Sequence, residues 1–332
     1  MAWRNPYYDP DQSHHTPQGF RNPPEAQVPV RAPGGVRRWR RERREAGLPK
    51  PPAAGYEAFR AQWWRPADFT APGDAAWWLG HACVLLRVGG LTVLTDPVLS
   101  ARASPVAFAG PRRHTPPPAT VATLPPVDVV LISHSHYDHL DRATVRALAR
   151  RFPQATFLAP LGLADWLRKR GVRVAHELDW WQSREIGGAT FHCVPAQHWS
   201  ARTLRDRNRT LWGGWVMQRG EFRFYFAGDT GYGAWLQAIG ERLGPFDLAA
   251  LPIGAYAPRW FMRAHHTDPA QAVRLHCELS ARRSLAIHWG VFQLADDALD
   301  EPPALLAQAR AEAGVAEAAF PAVPVGTRLS LG

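Results

Sequence analysis

"VDVVLISHSHYDHLD", residues 127–141, decides how the rest of the chain is read. Its opening half, Val127 to Ile132, is a β-branched run of the kind found in strands covered on both faces. The second half then crowds in His134, His136, Asp138 and His139. Each of these is costly to bury uncompensated, so together they look like a device for holding opposite charge. Asp141 can cap a helix whose apolar positions Val145, Leu148, Ala149 and Phe152 follow helical spacing. Strand, polar loop and helix in that order put the cluster at the carboxyl end of a strand, where open α/β sheets bind ligands.

Working outward, "AAWWLG", "ACVLLRV" and "LTVLT" read as short strands from Ala75 onward, separated by glycine-containing turns. Downstream come "TFLAP", a helix near 161–170, then "VRVAHEL", "ATFHCVPA", "GWVMQ", "FRFYFA", "FDLAALPI" and "RSLAIH" as further strands. In "TDPAQAVRLHCEL", Asp268 caps a helix and Pro269 takes its first turn; residues 302–313 read as a surface helix. No tandem repeat is present. Strands with interspersed helices predict packed sheets with helices outside. The expected organisation is an irregular N-terminal arm with a basic segment over 1–50, followed by one domain over 51–332.

A chain of 332 residues, 46% hydrophobic with 15 tryptophans, has ample material for a core, which excludes global disorder. The first twenty residues lack the apolar stretch of a secretory signal, and no run reaches the roughly 18 uncharged apolar residues of a bilayer span. A cytoplasmic chain is expected, at most peripheral on the inner membrane face. Cys83, Cys193 and Cys277 lie far apart without CxxC spacing and read as buried free thiols. The net charge of +10 is almost all arginine, Lys50 and Lys169 being the lysines. It is compatible with phosphate substrates or lipid headgroups and does not by itself point to nucleic acid. "VRRWRRERREAGLPK", residues 36–50, reads as a solvated basic helix. Its sharper reading is a patch on acidic lipid, where each basic residue adds about 1 kcal/mol.

Three later polar residues each close an apolar strand: His198, Asp229 and His288. His192 and His276 are taken as structural. Seven imidazole or carboxylate groups on one rim, from four strand ends, would be strongly destabilising unless they coordinate cations. Imidazole with carboxylate and no thiolate suits zinc first, with manganese and iron also compatible. Seven ligands exceed the three or four of one catalytic zinc, so two ions are implied. Two ions about 3.5–4 Å apart share a hydroxide that attacks at neutral pH. One carboxylate must bridge them, and Asp229 is the natural candidate.

These residues resemble the metallo-β-lactamase fold superfamily, whose HxHxDH signature appears as "HSHYDH". A narrower resemblance runs through "WLGHACVLLRVGGLTVLTDPVLSARASPVAFAGPRR", "AQHWSART", "LWGGWV", "FAGDTGY", "GPFDLAALPIGAYAPRWFM" and "LAIHWGVFQLADDALDEPP". Over roughly residues 55–305 these are similar to the N-acyl-phosphatidylethanolamine-hydrolysing phospholipases D. The resemblance implies an α/β fold, a four-layer αββα sandwich, and two zinc ions. His134, His136 and His198 would hold one; Asp138, His139 and His288 the second; Asp229 would bridge.

By the same resemblance, Asp96 in "LTDP" braces the ligand loop, and His266 in "HHTDP" contacts substrate phosphate with His265 beside it. Asp138, Asp229 and His266 carry the catalytic roles. "AYAPRWFM" supplies an apolar approach through Tyr256, Trp260, Phe261 and Met262. The implied reaction splits an N-acylated phospholipid into phosphatidic acid and an N-acylethanolamine, and homodimerisation follows by the same analogy. Two alternatives stay open. One is a lactonase or other ester hydrolase of the same fold. The other is a metal-dependent nuclease or basic nucleic-acid-binding protein, supported by the arginine run alone; no nucleic-acid partner is expected.

Overall fold

A computed structural model of the protein describes residues 3–26 and 34–331. Two mixed sheets face one another. The first has seven strands in the order Arg328–Ser330, Ala75–Gly80, Cys83–Val88, Leu91–Thr95, Val129–Leu131, Thr156–Pro160 and Val174–Leu178. Pairing is antiparallel as far as Leu91–Thr95 and parallel beyond it. The second has six, ordered Arg283–Ile287, Leu248–Pro252, Phe222–Phe226, Gly214–Arg219, Ala189–Val194 and Ser183–Ile186.

Alternation along the strands sorts the side chains. Trp78, Val84, Leu86, Val93 and Leu131 belong to the core cluster that also contains Phe191, Trp215, Met217, Phe224 and Phe226 of the opposite sheet. Their neighbours Trp77, Leu85, Leu94 and Val130 join a second cluster with Val145 and Leu148. Helix Arg142–Arg151 therefore lies on the outer face of the first sheet, while Leu236, Ile239, Val273 and Leu306 bring the later helices onto the second. Trp215 ties the two sheets together, its indole N–H donating to Ile132 O at 2.9 Å. Truncating it to alanine should cost about 3–5 kcal/mol. The expected helix–sheet–sheet–helix sandwich is the observed one.

Asp141 caps its helix by accepting from the Ala143 and Thr144 amides, and Asp268 forms a capping box with Gln271. Several elements differ from expectation, helices Ala234–Leu243 and Arg259–Met262 among them. Strands Ser183–Ile186 and Arg328–Ser330 are short polar edges with too little apolar alternation to register, and helix Gly55–Trp63 was not anticipated. Cys277 is exposed, whereas Cys83 and Cys193 are buried.

The N-terminal stretch is irregular apart from a hairpin of His15–Thr16 with Gly19–Phe20, but it is packed, with His14, His15 and Phe20 buried. Residues 1–2 and 27–33 of the expected arm lie outside the described residues. Helix Gly35–Glu45 buries none of its residues fully, yet it is not simply solvated: Trp39 stacks on Phe261 and Arg43 pairs with Asp296. Among the described residues, no helix is long and apolar enough to cross a membrane.

Candidate metal centre

The strand ends deliver their polar residues to one rim. Asp96 follows Leu91–Thr95, the His134–His139 loop follows Val129–Leu131, and His198, Asp229 and His288 follow strands of the second sheet. The structure brings all seven expected ligands together, five of them buried and His136 and Asp138 half-buried.

Hydrogen bonds on the outer side of each imidazole fix which nitrogen keeps a lone pair. Ser133 Oγ lies 2.5 Å from Asp96 Oδ2 and must donate to that carboxylate. It therefore accepts from His134 Nδ1–H at 2.9 Å, leaving His134 Nε2 bare. His198 Nδ1–H donates to His265 O at 3.1 Å, so its Nε2 is bare as well. Both bare nitrogens face His136 Nδ1, at 2.8 and 3.2 Å. A neutral His136 has one N–H and cannot satisfy both. A cation among the three nitrogens resolves the conflict.

The second set repeats the logic with more charge. His139 Nδ1–H donates to Asp96 Oδ2 at 2.6 Å, which turns the Nε2 lone pair toward Asp229 Oδ2 at 3.1 Å and Asp138 Oδ2 at 3.3 Å. His288 Nε2 stands 3.1 Å from Asp229 Oδ1. His139 Nε2, His288 Nε2 and Asp229 Oδ1 are all buried without a hydrogen bond. Asp229 lies between the sets, with Oδ2 also 3.7 Å from His198 Nε2 and 4.0 Å from His134 Nε2. These residues fit a pair of divalent cations.

Electrostatics show the same demand for positive charge at the site. Burial opposes charge on Asp138 and Asp229, yet His139 beside both and His288 beside Asp229 hold the two carboxyls well below their usual range. Burial alone would lower His139 and His288, but the two aspartates push His139 well up and His288 up to about 9. His134 and His198 are held well below the ordinary imidazole value, first by burial and then by neighbouring imidazoles.

Asp96 earns its expected place by contact: Oδ1 accepts from the Ser133 amide at 2.7 Å, and Oδ2 serves Ser133 Oγ and His139. Two supports went unnoticed in the sequence. His81, in the turn between Ala75–Gly80 and Cys83–Val88, places Nε2 3.0 Å from Asp138 Oδ2, and its carbonyl accepts from the His288 amide. Arg202 Nη1 donates to Ser135 O at 2.7 Å and Leu140 O at 2.8 Å, holding both ends of the ligand loop. His81, Asp96 and His288 all have positive φ, a strained conformation that the surrounding contacts must enforce.

The centre opens into a cleft of about 420 Å³ lined by Trp39, Tyr137, Trp199, Phe261, Met262 and Leu294, among others. His266 faces it, its Nδ1 3.9 Å from Asp229 Oδ2, and burial holds it down to about 4 despite that aspartate. His265 also lines the cleft while its carbonyl anchors His198. Tyr256 does not line it: its hydroxyl donates to Glu301. Trp260 lies outside the lining, 41% exposed, with the Arg38 guanidinium 4.2 Å over its ring. His276 is structural, its Nδ1 paired with Ser284 Oγ at 2.8 Å, and His192 is half-buried in its strand.

Residues 92–289, which contain every one of the seven expected ligands, match the family model described as β-lactamase superfamily domain. The chain belongs to the β-lactamase superfamily. Within that superfamily it is 46% identical over 232 residues to N-acyl-phosphatidylethanolamine-hydrolyzing phospholipase D 1 of Caenorhabditis elegans, covering 67% of this chain and 65% of the relative. It is 34% identical over 232 residues to the mitochondrial protein of that description in Saccharomyces cerevisiae, covering 68% of this chain and 49% of the relative. The chain thus spans less than two thirds of the length of either. Among solved structures, a metallo hydrolase of Ignicoccus hospitalis, Igni18, superposes with TM-score 0.59 at 21% identity, covering 77% of this chain and 97% of the other. That likeness carries the superfamily's fold.

Proposed function

We propose that the protein is a dinuclear zinc phosphodiesterase that hydrolyses N-acyl-phosphatidylethanolamine-type lipids to phosphatidic acid and an N-acylethanolamine. The observation that carries the reading is the convergence of imidazole nitrogens on Asp229 at the mouth of an apolar cleft. His134, His136 and His198 would hold one ion, Asp138, His139 and His288 the other, with Asp229 between them. Bound there, the ions supply Lewis-acid polarisation of a phosphate oxygen and a lowered pKa for attacking water.

The chain's own residues do the rest. Asp96, Ser133 and the His265 carbonyl accept the outer N–H of His139, His134 and His198, which turns their inner nitrogens toward the proposed ions. His266, neutral at physiological pH, is placed to donate an N–H to a substrate phosphate oxygen. Phe261, Met262, Trp39 and Leu294 line a path suited to acyl chains.

A lipid surface is the natural source of such a substrate, and the rim fits one. Val106 and Phe108, 39% and 83% exposed, project from the loop between the lining residues Ala103 and Pro111. Leu204 is fully exposed near lining residue Ala201, and Trp260 adjoins Phe261. Helix Gly35–Glu45 contributes Val36 and Trp39 to the cleft and arginines around it. Peripheral docking on an anionic leaflet joins apolar insertion to this charge.

The test is an assay of zinc-loaded protein on N-acyl-phosphatidylethanolamine vesicles, with simple esters and lactones as comparators. Release of phosphatidic acid is expected. Robust lactone cleavage without it would overturn the substrate assignment.

A further inference from the structure

Apart from the metal centre, one other buried imidazole–carboxylate cluster stands among the described residues: His14, His15 and Asp179. It does not behave as a metal site. It offers three ligands where a closed structural zinc needs four. His15 Nδ1 accepts from the Asp9 amide at 3.1 Å, so its proton sits on Nε2, 2.9 Å from Asp179 Oδ2. His14 Nε2 lies 2.6 Å from Asp179 Oδ1, and its ring stacks on Trp180 at 4.2 Å between centroids. The His14 hydrogen bond holds the carboxylate, and His15 Nε2 lies in ion-pair range of its other oxygen without a hydrogen bond of its own.

What the grip fastens is the N-terminal segment. Beyond it the Phe20 amide donates to Asn208 O at 2.8 Å, and Gly19, at φ 143°, sits where a Cβ would come within 2.1 Å of that oxygen. Two residues on, Asn22 Oδ1 accepts from the His198 amide at 2.8 Å and from Trp212 Nε1–H at 3.2 Å. Trp212 Nε1 also donates to Ala196 O at 2.9 Å, so the whole approach to His198 is held from the N-terminal side. The backbone of His198 is thus fixed by Asn22 and its ring by the His265 carbonyl.

We propose that Asn22 is a positioning residue for the metal-binding imidazole of His198, brought into place by an N-terminal segment that the His14–Asp179–His15 clamp fastens. This rests on the metal-centre reading above. Partners behind metal ligands typically change affinity by about 10–100-fold when removed.

The test titrates the full-length chain with cobalt(II), followed by its visible absorption, and measures amide exchange of the His198 segment in the metal-free chain. Asn22→Leu, which removes the acceptor, should weaken one of the two ions at least about tenfold and speed exchange at His198. Asn22→Asp, which keeps an acceptor oxygen, should restore both. The double variant His14→Gln/His15→Gln should move both readouts in the direction of Asn22→Leu, and it decides the matter if Asn22→Leu does not fold. Wild-type uptake of two ions with unchanged affinity and exchange in these variants overturns the positioning role alone. A wild-type chain that takes up no cobalt overturns the metal-centre reading and this inference with it.

Discussion

Among the described residues, two buried histidine–aspartate clusters occur, and they look alike by composition and distance. In one, His139 stands 3.1 Å from Asp229; in the other, His15 stands 2.9 Å from Asp179. They differ behind the ring. His139 gives its outer N–H to Asp96, so its inner nitrogen is the one that can turn to a metal, whereas His15 accepts from the Asp9 amide, so a proton faces inward. The first arrangement suits a cation; in the second the carboxylate is already held by the His14 hydrogen bond. The partner on the far side of an imidazole, rather than the cluster itself, decides which chemistry it performs.

The most severe way to break the contrast is Asp229→Asn. Removing the one carboxylate shared by both ligand sets should lower metal content and hydrolytic rate by orders of magnitude, read by elemental analysis and turnover. A fully metallated, active variant would contradict the bridging role.

Asp96→Ala probes the outer partner itself. It frees the His139 outer nitrogen and the Ser133 hydroxyl, and metal affinity should fall about 10–100-fold by calorimetric titration while the fold persists by circular dichroism. Unchanged affinity would mean that Asp96 is only a turn residue before Pro97.

At the other cluster, Asp179→Asn should cost stability, on the order of 3 kcal/mol, and still leave two ions bound. The loss has a pH signature. Burial would raise the Asp179 carboxyl, but the His14 hydrogen bond and charge outweigh it and hold the group below its ordinary 3.8. A depressed carboxyl contributes its stability above the unfolded value and loses it as pH falls through the folded one. The gap between wild type and Asp179→Asn in chemical denaturation should therefore be full at pH 6 and shrink as pH drops below about 3.8. A gap independent of pH would remove the carboxylate from the clamp.

The smallest effect is at the rim. Each of Arg38→Ala and Arg41→Ala should weaken binding to anionic vesicles by about 1 kcal/mol, roughly fivefold, in co-sedimentation at low salt. Neutral vesicles should be bound equally by variant and wild type.

Much of the centre could be read in the sequence because its ligands close apolar strands, and strand ends on one rim meet in any sandwich of this kind. His134, His136, Asp138 and His139 announce themselves by spacing, while His198, Asp229 and His288 do so by position. His81 does not: a lone histidine in "WLGHACVL" gives no sign of function until sheet pairing carries it to Asp138. Asn22 is hidden for the same reason, since 176 residues separate it from His198 and nothing local marks the contact. Tyr256 misled in the opposite sense. Its aromatic neighbours suggest a lipid groove, but a buried hydroxyl needs a partner, and Glu301 provides one. The edge strands escaped because strands exposed on a face lack the apolar alternation by which strands are recognised.

The most direct test is an ion count on carefully prepared, catalytically competent wild-type protein. Two transition-metal ions per chain are predicted, falling sharply in Asp229→Asn and unaffected in number by Asp179→Asn. Active protein that contains none would contradict the account, and a third ion lost with Asp179 would contradict the distinction between its two clusters.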